Sequence, residues 1–111
     1  MKINRYKLKD GITIDNLKKI GFSEYDNEGN VLKQNFHLID EIEVDIIIPT
    51  DLVKFDDFKN IDILDMDFCQ PYTPFYEYWN KEVTGFKFLE KVIKRYNEVM
   101  DSIGVFEKIT I

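Results

Sequence analysis

Apolar residues recur at helical spacing most clearly toward the end of the chain. Phe88, Leu89, Val92, Ile93, Tyr96, Val99, Met100 and Ile103 follow an i, i+3, i+4 rhythm, while Lys91, Lys94, Arg95, Glu98 and Asp101 fill the opposite face. This predicts a long amphipathic helix with Thr84 as its N-cap, Gly104 as its left-handed stop and a Glu90–Lys94 pair along its wet side. A shorter helix is predicted over Ile14–Ile20, pinned by Ile14, Leu17 and Ile20, with Thr13 as N-cap and Gly21 at its end. Seven residues do not hold a helix in water, so tertiary packing has to stabilise this one.

Elsewhere the period changes to two. Tyr6 and Leu8 share a face within Lys2 to Lys9, which predicts a half-buried first strand. Val31 to Ile39 reads as a strand after the Asp26–Asn30 turn. Ile42, Val44, Ile46 and Ile48 alternate with Glu43 and Asp45, and Pro49 ends that run because it has no amide hydrogen to donate. Asp40-Glu41 is the tight connection that makes residues 31–48 a hairpin. In 61–68 the phase switches: Ile61 and Ile63 lie in one register, Leu64, Met66 and Phe68 in the other, as either a β-bulge or a strand covered in part on both faces would produce. The tail from Val105 alternates again and is expected to return as a final strand. The expected fold is α+β: a single domain with an antiparallel sheet of about four to five strands, one long C-terminal helix packed on one face and a short N-terminal helix.

Composition adds limits. At 111 residues, with 44% hydrophobic and 32% charged positions, the chain is long enough for one core and too apolar to be disordered. A single cysteine, Cys69, allows no internal disulfide and fits a reducing compartment. The opening residues Met1 to Lys7 lack the apolar stretch of a signal peptide, and the longest apolar run, Ile46-Ile47-Ile48, is far too short to span a membrane. The expected location is therefore cytoplasmic, with no membrane partner.

Charge is unevenly placed. The net charge is −6, from 21 acids and 15 bases. Residues 40–67 hold ten acids (Asp40, Glu41, Glu43, Asp45, Asp51, Asp56, Asp57, Asp62, Asp65 and Asp67) against Lys54 and Lys59, while the chain on either side is neutral to slightly basic. Direct nucleic-acid binding needs clustered positive charge and is not expected. An acidic strand face built from Glu43, Asp45 and Asp62 would instead present a row of carboxylates to a basic or nucleic-acid-binding protein; the plainer reading is a solvated face that resists edge-to-edge aggregation. Asp62, Asp65 and Asp67 raise a third reading, a hard-cation site, because Asp-x-Asp on a strand puts two carboxylates on one face.

The stretch Cys69 to Lys81 is crowded with aromatic residues: Tyr72, Phe75, Tyr76, Tyr78 and Trp79. Pro71 and Pro74 are expected to hinder a regular helix at its start. Tyrosine and tryptophan offer much contact area at low entropic cost, which suits a binding surface; the alternative is a loop folded back to plug the core. Cys69 and His37 are the only thiol and imidazole, and nothing in the spacing brings them together as a nucleophile and base. No phosphate loop, Cys-x-x-Cys or His-x-x-Glu-His motif occurs, and no cofactor is expected.

The segments Asp10–Phe22, Phe68–Tyr76 and Tyr96–Gly104 together resemble a group of small proteins of Gram-positive bacteria and their phages that carry no assigned activity. The resemblance implies a bacterial or prophage setting and action by binding, and supplies no catalytic residue to carry over. The leading expectation is a non-catalytic module that binds a protein through the acidic strands, the aromatic loop or both. A small metal-dependent enzyme and a structural subunit of a larger assembly are the alternatives.

Overall fold

The computed structural model describes residues 1–110. The elements run β1 (Arg5–Leu8), α1 (Ile14–Lys19), β2 (Ser23–Glu24), β3 (Val31–Ile39), β4 (Ile42–Pro49), β5 (Ile61–Asp65), β6 (Gln70–Pro71), α2 (Thr73–Glu77), α3 (Lys87–Ile103) and β7 (Phe106–Ile109). The α+β fold expected from the pattern is what the chain adopts. Strands β2 to β6 form a five-stranded antiparallel meander in sequence order, and β1 pairs with β7 in a separate two-stranded sheet. This division into two sheets is not visible in the local pattern, because it depends on where β7 lands after α3.

The meander buries one face. Ile42, Val44, Ile46 and Ile48 of β4 lie level with Ile61 and Ile63 of β5 and with Leu32 of β3, and the apolar face of α3 covers them through Leu89, Val92, Ile93, Tyr96 and Met100. Glu43, Asp45 and Ile47 occupy the other face of β4, as period two requires. Asp40 turns the β3–β4 hairpin at φ +49°, and the irregularity of this pair falls in β3 between His37 and Ile39.

The helices start and stop for identifiable reasons. Thr13 Oγ1 accepts the Asn16 amide at 3.1 Å while Asn16 Oδ1 accepts the Thr13 amide at 3.0 Å, a reciprocal cap on α1. Only Leu17 of α1 is buried; Ile14 is half-buried and Ile20, the C-cap, is exposed, so the predicted three-residue pin reduces to one residue. Gly21 follows at φ +108°, a backbone conformation that demands glycine, and any side chain there would also have to displace the flexible end of Gln34. Helix α3 begins at Lys87, not after Thr84: Gly85 at φ +84° turns the chain out of a helical path, and Phe86 becomes the N-cap residue. Along its wet face Glu98 gathers both Lys94 and Arg95, in place of the expected Glu90–Lys94 pair. Gly104 ends the helix in the left-handed region and releases Val105 into β7.

Two further expectations are corrected. The phase switch in 61–68 is not a bulge: β5 ends at Asp65, whose Oδ1 accepts the Asp67 amide at 3.1 Å, and Met66–Cys69 form a turn with Cys69 at φ +49°. The aromatic stretch is not irregular throughout. Pro74 sits in the first turn of α2, where its missing amide hydrogen leaves no helical bond unmade, so a short helix forms over it.

Candidate protein-binding site

The five aromatic residues of 72–79 divide by direction. Phe75 is fully buried and meets Tyr96 of α3 edge-on at 5.0 Å between ring centroids. The Tyr76 hydroxyl accepts the Ile63 amide at 2.7 Å and donates to the Ile61 carbonyl at 3.1 Å, which satisfies part of the β5 edge not covered by the short β6. Trp79 packs against Phe75 and Phe58 and lies under the Arg5 guanidinium, 5.1 Å from the ring centroid. Phe75, Tyr76 and Trp79 thus pack into the core and its margin, as the core-plug alternative expects for this part of the stretch, with Phe75 buried and Tyr76 and Trp79 half-buried.

Tyr72 and Tyr78 point the other way. With Pro74, Phe86 and Phe88 they line an open cleft of about 340 Å³ between α2 and the start of α3, with Glu77 and Lys87 also in its wall. Tyr72 contacts Phe88 edge-on at 6.1 Å, and Tyr78 contacts Phe86 at 5.5 Å. Phe86 remains 54% exposed and Phe88 40% exposed. Helical periodicity puts Phe88 on the buried stripe, yet it lies at the margin of that stripe in the first turn and stays exposed, whereas Leu89 beside it is buried. Phe86 and Phe88 are the residues that pattern reading missed; Gly85 holds the signal for Phe86, since a left-handed glycine there delays the helix start to Lys87 and leaves Phe86 outside it. Burial and the neighbouring Asp65 carboxylate both raise the Tyr72 hydroxyl above its ordinary pKa.

The acidic residues also part company. Asp45 and Asp62 do face each other across β4 and β5, as an acidic strip requires. But Asp45 is only 8% exposed: Lys33 Nζ stands 3.1 Å from its Oδ2, and Asn35 donates to its Oδ1 at 2.8 Å. Lys33 in turn stacks on Tyr25, 4.4 Å from the ring centroid. The centre of the strip is therefore neutralised from within. Glu43 and Asp62 have no ion-pair partner among the described residues. Desolvation first, then the Asp45 charge, raise the Asp62 carboxyl above the ordinary aspartate range, with Lys33 opposing.

Asp65 and Asp67 lie at the end of β5 and in the following turn, so they do not share a strand face. Asp62 and Asp65, three apart on one strand, point to opposite faces. The proposed cation triad is thus not assembled, and no group of three or more His, Cys, Asp or Glu side chains is close enough to hold a metal among the described residues. His37 Nε2 lies 2.8 Å from the Asp40 carbonyl and Cys69 Sγ lies 3.7 Å from the Met66 carbonyl, each tied to its own turn.

The acidic segment also supplies an unforeseen anchor. Asp57, in the β4–β5 connection, is buried; it receives Arg5 Nε at 2.9 Å, a second Arg5 nitrogen at 3.0 Å and the Tyr6 amide at 2.8 Å. These bonds raise the Arg5 guanidinium pKa. Nothing in the local sequence around Asp56-Asp57 distinguishes it from its surface neighbours. No family model, curated protein or solved structure matches this chain. None of the described helices is long and apolar enough to cross a membrane.

Proposed function

We propose that this chain is a non-catalytic protein-binding module whose main contact is the aromatic cleft between α2 and α3. The observation that carries the reading is the exposure of Phe86 and Phe88 around a concave, apolar opening. Exposed aromatics grouped around a pocket match the chemistry of interface hot spots, in which a few desolvated rings supply most of the affinity. The partner inserts an apolar side chain between Tyr72, Tyr78, Phe86 and Phe88. Lys87 and Glu77 at the wall, with Asp65 beside Tyr72, orient its polar rim. Glu43 and Asp62 supply a secondary contact for a basic partner, weaker than the full acidic row because Asp45 is held by Lys33 and Asn35. The reading includes a cytoplasmic setting, supported by the lone cysteine, and a phage or mobile-element accessory role, supported by the resemblance of the three segments given above.

A photo-crosslinking phenylalanine analogue placed at position 88 tests the proposal. It should capture one discrete protein in a bacterial cytoplasm, whereas the same analogue at Tyr25, near the opposite edge of the meander, should not. The double variant Phe86→Ser, Phe88→Ser should lose that partner while its unfolding free energy stays within about 0.5–1 kcal/mol of the parent, as for surface positions. Equal capture from positions 25 and 88 would overturn the reading. Capture of a second copy of this chain would move it to the structural-subunit alternative.

A further inference from the structure

The two-stranded sheet has an edge that is closed at one residue and open at the next. Lys9 donates its amide to the Val105 carbonyl at 2.9 Å, so the odd-numbered residues of β1 direct their backbone groups toward β7. The even-numbered residues direct theirs outward. Tyr6 confirms this: its amide leaves the sheet and is taken by Asp57 Oδ2, a carboxylate standing where the carbonyl of a neighbouring strand would be. Two residues on, the N–H and C=O of Leu8 point the same way and have no hydrogen-bond partner among the described residues. There the edge opens into a groove of about 520 Å³, within the roughly 300–1,000 Å³ range of ligand sites. Its far wall is Leu52, Val53 and Phe55, and Val53 is 90% exposed.

We propose that this groove is a strand-addition site that takes an extended, acidic peptide segment of a partner protein, paired with Leu8 on the free edge of β1. The backbone decides the conformation of the occupant, since an unpaired edge donor and acceptor are satisfied together by an extended chain. Charge decides its sign. Lys7 and Lys9 line the groove, with Asp10 the single acid beside them, and the first nine residues hold four bases and no acid in a chain of net charge −6. Lys7 already pairs with Glu107, whereas Lys9 has no ion-pair partner among the described residues. Alternate side chains of the occupant, apolar toward Val53 and Leu52 and acidic toward Lys9, suit the period of a strand. A second copy of this chain is a poor occupant, because joining two β1 edges opposes Lys7 and Lys9 with their own counterparts. This site is separate from the aromatic cleft and goes beyond that reading.

Amide exchange followed by NMR on the full ¹⁵N-labelled chain tests it. In the free protein the Leu8 amide should exchange at least roughly tenfold faster than the Tyr6 amide that Asp57 holds. An acetylated, amidated hexapeptide alternating valine and glutamate should slow Leu8 exchange, and its valine–lysine counterpart should not. Lys9→Glu should weaken the acidic peptide about threefold, as expected for one exposed ion pair, and Val53→Asp should weaken it further. The double variant Phe86→Ser, Phe88→Ser should leave this binding unchanged, so failure of the cleft and failure of the edge are told apart. The proposal is overturned if Leu8 is already as protected as Tyr6 in the free chain. It is equally overturned if neither peptide alters Leu8 up to about 1 mM, or if protection of Leu8 grows with protein concentration alone.

Discussion

Segments 72–79 and 86–88 are equally aromatic, and they meet opposite fates. The middle of the first is drawn inward, while its Tyr72 and Tyr78 turn toward the second: α2 lies over the β5 edge, Phe75 enters the core beneath Tyr96, and Tyr76 hydrogen-bonds the strand. The second sits where the chain turns from Gly85 into α3, and its two phenylalanines stay about half exposed against Tyr78 and Tyr72. Aromatic content therefore does not decide which rings stay exposed; the place of each ring in the fold does. The same lesson holds for the acids of 40–67, where Asp57 is buried against Arg5 and Asp62 is left facing Asp45 without an ion pair.

The strongest way to break the comparison is at its apolar end. Phe75→Ala should destabilise the fold by about 4 kcal/mol, because it empties a fully enclosed site. Phe88→Ala should cost well under half of that. Equal losses in urea unfolding would show that both rings belong to the core.

Among the acids, Asp57→Ala should cost about 3 kcal/mol, since it strands part of Arg5 and the Tyr6 amide together. Asp57→Asn should lose less, because the amide oxygen still accepts from Tyr6. If both variants match the parent by denaturant titration, the clip between β1 and the β4–β5 connection is dispensable.

Tyr76→Phe keeps the ring and removes the two hydroxyl bonds to β5. A loss of about 1–2 kcal/mol is expected from the Ile63 amide and Ile61 carbonyl left without their partner. Faster exchange of the Ile63 amide would localise the effect, and an unchanged rate would show that the hydroxyl is not what closes this edge.

The smallest effect has the opposite sign. The folded-state Asp62 carboxyl titrates above its unfolded value of about 3.9, so folding binds that proton more tightly, and ionisation weakens the fold. The penalty is full well above the folded pKa and disappears only as pH falls below the unfolded value of about 3.9. Asp62→Asn should therefore stabilise the protein by about 0.5 kcal/mol at neutral pH, the scale of one like-charge pair across strands. That gain should fade on acidification. A gain that persists in full at about pH 3, or a loss at pH 7, would show that Lys33 compensates Asp62 as well as Asp45.

What the sequence determined by itself was the set of elements whose cause is local. The α3 stripe, the β3–β4 hairpin through Asp40, the Thr13 cap, the Gly21 and Gly104 stops and the alternation of Glu43 and Asp45 with the β4 isoleucines all follow from periods and from single-residue backbone preferences. Even the proline at the start of α2 obeys a local rule. The rest depends on partners far along the chain. Two sheets form instead of one because β7 meets β1 across almost the whole chain. Asp57 differs from Asp56 only because Arg5 and the Tyr6 amide stand beside it. Lys33 neutralises the middle of an acidic row, and Phe88 leaves the buried stripe to meet Tyr72. Burial and pairing are properties of neighbours in space, and residues 5, 57, 88 and 106 become neighbours of anything only once the chain has closed.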